Sequence, residues 1–194
     1  MNTQRGEANK PESAVVFLAR GAGVGDDAEA LIRPEDTAPE YVTRLIAEGL
    51  ATDAVRVLGS LLPPREAVWW AWTCARKATG EATPPEATAA FAAVEKWLRD
   101  PTDGNRRAAM EAGEAADYTT PAGCVALATF FSGGSIAPPD LEPVAPPPFV
   151  AGKALAGAIL IASVATEPEK APEKLSGYLD QGIHVARRVG IWPE

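Results

Sequence analysis

Hydrophobic residues recur at helical spacing along most of the chain from residue 37 onward. In the clearest segment, which begins at Pro85, apolar side chains lie at i, i+4, i+7 and i+11 and so form one face of an α-helix. These positions are Ala87, Phe91, Val94 and Leu98. Segments that begin near Thr52 and Pro172 show the same period, and prolines and glycines separate the segments. The pattern predicts an all-α fold, a compact bundle of about seven to eight helices.

One predicted helix differs from the others because it is apolar on every side. It carries three of the five tryptophans, at Trp69, Trp70 and Trp72, and residues 67–75 hold no charge. A helix that is apolar all round must be surrounded by other elements. We therefore predict that this tryptophan helix is the centre of the bundle, and that short connections join the helices as antiparallel hairpins.

The three tryptophans point in different directions. Successive members lie about 100° and 200° apart around a helix, so they cannot all face one core. A tryptophan without a partner inside the chain would line a groove or meet another protein, where tryptophan is enriched. The alternative is that all of them are buried among the surrounding helices. The candidate partner-binding residues are Trp69, Trp72, Arg65 and Trp97.

Residues 1–36 lack the helical period. A polar start is followed by an apolar run at 14–18 and a glycine-rich loop at 21–27. A strand followed by such a loop resembles a dinucleotide-binding turn, but the GxGxG spacing differs from the fingerprint, and no lysine follows as in a P-loop. We predict an N-terminal leader, extended or loosely docked, ahead of a single helical domain at 37–194.

The longest irregular stretch of the helical domain is the proline-rich segment 135–148. Proline does not fit the interior of a helix and favours extended polyproline geometry. We predict a crossover loop between the helical body and a C-terminal helix pair. Its role is that of a semi-rigid spacer or, alternatively, of a ligand for a proline-binding groove.

Residues 149–165 are almost continuously apolar, with Lys153 as the interruption. A membrane-spanning helix needs about 20 apolar residues, so this segment is too short and too charged for one. We predict a buried core helix and no membrane span. Small residues such as Gly152 would let a neighbouring helix, for example the tryptophan helix, approach closely.

The charge of the chain narrows the classes of partner. The formal net charge is −8 and the isoelectric point is near 4.8. Nucleic acids and anionic membrane surfaces both require a basic footprint, so we expect neither as a partner. The start of the chain lacks the pattern of a secretory signal, and we expect a cytoplasmic protein.

Little in the sequence points to catalysis. The chain has one histidine, His184, and two isolated cysteines, Cys74 and Cys124, in apolar surroundings. His184 follows Asp180 by four residues, which would allow orientation of a general base, but an exposed helical histidine is far commoner. The GxSxG nucleophile motif is missing from the sequence. We expect a non-catalytic protein without a cofactor or a bound metal ion.

A short helix pair leads into the segment Arg65 to Ala71, which reads REAVWWA. In this respect the chain resembles an uncharacterised family of small bacterial all-helical proteins over residues 41–97, less than a third of its length. Members of that family lie beside type VI secretion tip genes. The resemblance implies a role as an accessory or adaptor of that apparatus, and it carries no catalytic residues.

Two functional hypotheses from different classes follow. The first is a non-catalytic helical adaptor or chaperone-like protein that binds another protein through a helical groove or apolar surface, and the resemblance implies that it serves a secretion system. The second is a small-molecule-binding or enzymatic domain with a pocket beside the tryptophan helix, between it and the helix that begins at Phe149. An exposed apolar patch favours the first hypothesis. A deep pocket lined by Trp69 or Trp72, with His184 or a buried carboxylate, favours the second.

Overall fold

The computed structural model describes residues 13–80 and 83–193. These residues form ten α-helices and one short 3-10 helix and include no strand, which confirms the predicted all-α class. The α-helices are α1 (Ala14–Ala22), α2 (Asp26–Glu29), α3 (Ala38–Ala47), α4 (Ala51–Leu61), α5 (Pro64–Thr79), α6 (Pro85–Arg99), α7 (Asp103–Ala115), α8 (Pro121–Phe131), α9 (Val150–Val164) and α10 (Ala171–Arg188).

Local sequence fixes where several helices begin. Thr37 starts α3 with a capping box, in which its hydroxyl accepts a hydrogen bond from the Glu40 amide and its own amide donates to the Glu40 carboxylate at 2.8 Å. Pro64 and Pro85 are the first residues of α5 and α6, where the missing amide hydrogen costs nothing. Pro64 therefore fixes where the tryptophan helix, α5, begins.

Two helices lie at the centre of the fold. The α5 helix packs against α6, α8, α9 and α10, and the α9 helix packs against α4, α5, α8 and α10. Small residues let α4 and α9 approach closely: a Cβ atom at Gly59 would lie 2.8 Å from Leu155 Cδ2, and one at Gly152 would lie 2.6 Å from Ser60 Oγ. The helix that meets Gly152 is therefore α4, where the sequence suggested the tryptophan helix.

The segment before residue 37 is more ordered than the sequence predicted. Instead of an extended or loosely docked leader, α1 packs against α3 and α4 and buries Val15, Ala19 and Ala22. Gly23 ends α1 in the left-handed conformation with φ of 73°, so the glycine cluster terminates a helix. Residues 1–12 of the predicted leader lie outside the described residues.

An ion pair between Asp36 and Arg44 holds the segment before α3 against that helix. Arg44 donates to both carboxylate oxygens of Asp36, through Nη1 and through Nη2, the latter at 3.0 Å. Its Nη1 also donates to the Leu31 carbonyl at 2.9 Å. The hydrogen bonds from Arg44 hold the pKa of Asp36 below its ordinary value of 3.8.

We expect the Asp36–Arg44 pair to make stability depend on acid pH. A lowered pKa contributes stability that is fully present above the ordinary aspartate pKa and is lost as the pH falls through the lower folded value. The Asp36→Asn variant should therefore lose less stability on acidification than the wild type. Urea midpoints between about pH 6 and about pH 2.5 measure this difference.

The exposed neighbour Glu35 provides a matched control, because its side chain makes no hydrogen bond to Arg44 in the described structure. Glu35→Gln should keep the wild-type dependence on pH. Identical acid profiles for the wild type and Asp36→Asn would show that the pair does not contribute.

Candidate functional site

The ends of three helices form an open groove with a volume of about 300 Å3 on the surface. The first two turns of α5 form one wall, the last turn of α10 forms the other, and the end of α6 closes it. The lining residues are Arg65, Glu66, Trp69, Leu98, Val185, Arg188 and Val189. We refer to this set as the Trp69 groove.

The three neighbouring tryptophans have different environments. Trp70 is fully buried and donates its indole N–H to the Tyr178 carbonyl of α10 at 2.7 Å. Trp72 is half-buried and donates to the Phe91 carbonyl of α6 at 3.0 Å. Trp69 remains 39% exposed. Other helices thus cover Trp70 and partly cover Trp72, but the side of α5 that carries Trp69 is open.

The floor of the Trp69 groove is apolar. Val185 of α10 and Leu98 of α6 are both buried there. Val189, just beyond α10, is one of the few large apolar side chains exposed to solvent. An exposed aromatic ring and exposed aliphatic surface therefore line one concave site, a composition typical of binding surfaces.

Two arginines give the groove a positive charge. Arg65 donates through Nε to the Leu98 carbonyl at 2.9 Å, and also through Nη2, and so caps the last turn of α6. Arg188 makes no hydrogen bond or ion pair with any residue in the described ranges. One acidic residue, Glu66, lines the groove beside them. The local charge is therefore opposite in sign to the net charge of −8.

The structure brings together two of the four predicted partner-binding residues. Arg65 and Trp69 line the same groove, whereas Trp72 lies between α5 and α6. Trp97, the fourth candidate, is buried on α6 and does not line the groove. The reason is that the buried face of α6 is wide enough to include Trp97 beside its regular apolar positions.

Sequence reasoning missed the contribution of α10 to the groove. Val185, Arg188 and Val189 are more than a hundred residues from Trp69 along the chain, and no local pattern connects them. The available signal was the basic pair Arg187-Arg188 on the solvent side of an amphipathic helix.

The histidine and the two cysteines of the chain do not form a catalytic arrangement with one another in the described structure. His184 is exposed and makes no hydrogen bond with Asp180 within the described ranges. Cys74 and Cys124 are buried free thiols, and burial raises the pKa of Cys74 to about 12. Burial also raises the pKa of Cys124. Burial thus disfavours the thiolate, the reactive form, in both cysteines.

A metal-binding cluster and a membrane-spanning helix are both absent from residues 13–80 and 83–193. No three His, Cys, Asp or Glu side chains among them are grouped so as to hold a metal ion. None of the helices in these ranges has both the length and the apolar character needed to cross a membrane.

The sequence that builds most of this groove matches a known family model. Residues 41–186 match the model of DUF6931, a family of unknown function, over well more than half of the chain. The chain belongs to this family. No curated protein and no solved structure matches it significantly. The DUF6931 range contains Arg65 and Trp69, whereas Arg188 and Val189 lie just beyond it.

Proposed function

We propose that this DUF6931 protein is a non-catalytic helical adaptor that binds another protein in the Trp69 groove. The observation that carries the proposal is the exposed tryptophan ring, set against apolar residues of α10 and flanked by two arginines. Tryptophan and arginine are the residue types that most often dominate the binding energy of protein interfaces.

The size of the groove suits an anchor side chain of a partner. A volume of about 300 Å3 is at the lower end of ligand pockets and accommodates one or two large side chains. The surrounding surface of α5, α6 and α10 would then form the rim of a larger interface. Recognition by an anchor in a small pocket is the usual arrangement at a binding hot spot.

The charges indicate the chemistry of the partner segment. Arg188 has no partner within the described chain, so it is available to a carboxylate. A carboxylate bound to arginine forms charge-assisted hydrogen bonds, which are stronger than neutral ones. The groove therefore favours a segment that combines an apolar anchor with an acidic side chain.

We also propose that the protein is an accessory of a bacterial secretion system, and one observation supports this part. Its support is the resemblance of residues 41–97, with the REAVWWA-type segment, to proteins encoded beside type VI secretion tip genes. Under this proposal the groove would receive a component or cargo of that apparatus. The identity of a partner captured from the native host tests this part separately.

A second candidate function has one observation in its favour. A pocket of about 280 Å3 lies between the beginnings of α5 and α9, the pair of helices that the alternative hypothesis named. It is mostly apolar and includes the rings of Phe17 and Phe149. The Ser60 hydroxyl lines it and is buried without a hydrogen-bond partner among the described residues. A small apolar molecule with one polar group would suit this pocket, which contains neither Trp69 nor His184.

Replacing Trp69 should separate binding from folding. We expect Trp69→Ala to weaken partner binding by about tenfold or more, because it removes the exposed ring of the groove. Arg188→Glu should weaken it as well, by reversing a charge that has no role within the described fold. Quantitative affinity purification from the native host, followed by calorimetry with the purified partner, measures both effects.

Ile46 provides the matched control for this experiment. It is 38% exposed, almost the same as Trp69, but lies on α3 and outside the groove. Ile46→Ala should retain the partner. Circular dichroism must show that all three variants are folded. The adaptor proposal fails if folded Trp69→Ala and Arg188→Glu bind every partner as tightly as the wild type.

A further inference from the structure

The proline-rich loop between α8 and α9 has a restricted conformation. Residues 142–147 belong to neither helix nor turn. Every residue among them except Val144 is a proline or directly precedes one. Proline fixes φ near −65°, and the residue before it is confined to extended conformations. The loop therefore presents an extended segment of polyproline character.

Two arginines of α7 anchor the base of this loop. Arg106 is buried and donates through Nη2 to the Ser135 carbonyl at 2.6 Å. Arg107 donates through Nη2 to the Ala137 carbonyl at 2.7 Å. Both also bind Asp103, whose pKa is lowered chiefly by the hydrogen bond from Arg107. The buried guanidinium of Arg106 thus holds the start of the loop in place.

Hydrogen bonds across the loop secure its middle. The Val144 amide donates to Ser135 Oγ at 3.0 Å, and the Val144 carbonyl accepts from the Ile136 amide at 2.8 Å. The backbone of Val144 is therefore fixed on both sides, while the residue as a whole is 49% exposed. An ordered segment that is already extended loses little entropy on binding.

The exposed side chains of the loop have a regular arrangement. A polyproline helix has three residues per turn, so residues three apart share one side. Within the extended segment, Val144 and Pro147 have this spacing and are both exposed, and Leu141 is exposed in the bend just before the segment. The acidic residues Asp140 and Glu142 are exposed beside them. The loop therefore combines an apolar stripe with negative charge.

We propose that this loop of one copy of the protein binds in the Trp69 groove of a second copy. Extended proline-rich segments dock on exposed aromatic rings, and the groove presents Trp69. The charges of the two surfaces are complementary, because Asp140 and Glu142 would meet Arg188 and Arg65. The inference rests on the proposed binding role of the groove and names an occupant for it.

A charge exchange tests this self-association. In sedimentation experiments on the full-length chain, we expect concentration-dependent assembly that weakens with added salt, because the paired charges are exposed. Arg188→Glu alone and Glu142→Lys alone should each weaken assembly by about tenfold. The double variant Arg188→Glu/Glu142→Lys should recover most of the wild-type affinity. In it the two charges are exchanged, so opposite charges again face each other across the contact.

Two matched variants examine the apolar part of the contact. Val144→Ser should weaken assembly, whereas Val164→Ser should not, because Val164 is equally exposed at 48% but lies at the end of α9. A monomer at every concentration would overturn the inference. So would assembly that none of the loop or groove variants changes. A monomer that still binds a different protein through Trp69 would overturn self-association and leave the adaptor proposal standing.

Discussion

Trp70→Ala is expected to lower the free energy of unfolding by about 4 kcal/mol, the range typical of a large aromatic residue removed from a core. Trp70 is fully buried, and its ring lies beside Gly182 of α10 and Gly59 of α4. Its indole N–H also donates to the Tyr178 carbonyl. The substitution would therefore leave both a cavity and a lost hydrogen bond. Urea unfolding followed by far-ultraviolet circular dichroism measures the loss.

The adjacent tryptophan provides the control for this prediction. Trp69→Ala removes the same side chain from the same helix, but from a position that is 39% exposed. We expect it to cost about 1 kcal/mol, since less apolar area returns to water. Equal losses for the two variants would contradict the assignment of Trp70 to the core and Trp69 to the surface.

The second large effect concerns a glycine of α10. Gly182→Ala should destabilise the fold by about 2 kcal/mol, the usual scale for overpacking a core. A Cβ atom at this position would lie 2.7 Å from the Trp70 ring and 2.8 Å from Leu58 Cδ2. Alanine is intrinsically the better helix former by about 1 kcal/mol. The steric effect should nevertheless exceed the propensity, because the ring is enclosed.

At another glycine of the same helix, we expect helix propensity to outweigh steric overpacking. A Cβ atom at Gly177 would meet no other atom within 4 Å, and the residue is exposed. Gly177→Ala should therefore stabilise the protein by about 0.5–1 kcal/mol. Thermal or urea unfolding of both variants gives the sign directly. Stabilisation by Gly182→Ala would show that α10 can move away from Trp70 at little cost.

The amphipathic helices could be predicted from sequence because their apolar period is clear. All four apolar positions predicted for α6, from Ala87 to Leu98, are buried in the structure. The first helix could not be predicted, because residues 14–18 form a continuous apolar run that does not distinguish helix from strand. Its buried face consists mainly of alanine, which gives little hydrophobic contrast with the exposed face.

The candidate site was predictable only in part. Helical geometry showed that Trp69, Trp70 and Trp72 must face different ways, and the structure places them in three different environments. Which ring remains exposed depends on the helices that cover α5, and sequence spacing contains no such information. The approach of α10 decided this, since it buries Trp70 and leaves Trp69 beside Arg188.

The contact between Trp70 and α10 also bears on how the groove would bind. The indole of Trp70 donates to the Tyr178 carbonyl and lies beside Gly182, about two turns and one turn before Val185 on the same helix. The two walls of the groove are therefore held at a set distance by a core contact that begins one residue from Trp69. A binding partner would meet a preorganised surface and need not first order it, so the free energy of its contacts would be retained as affinity.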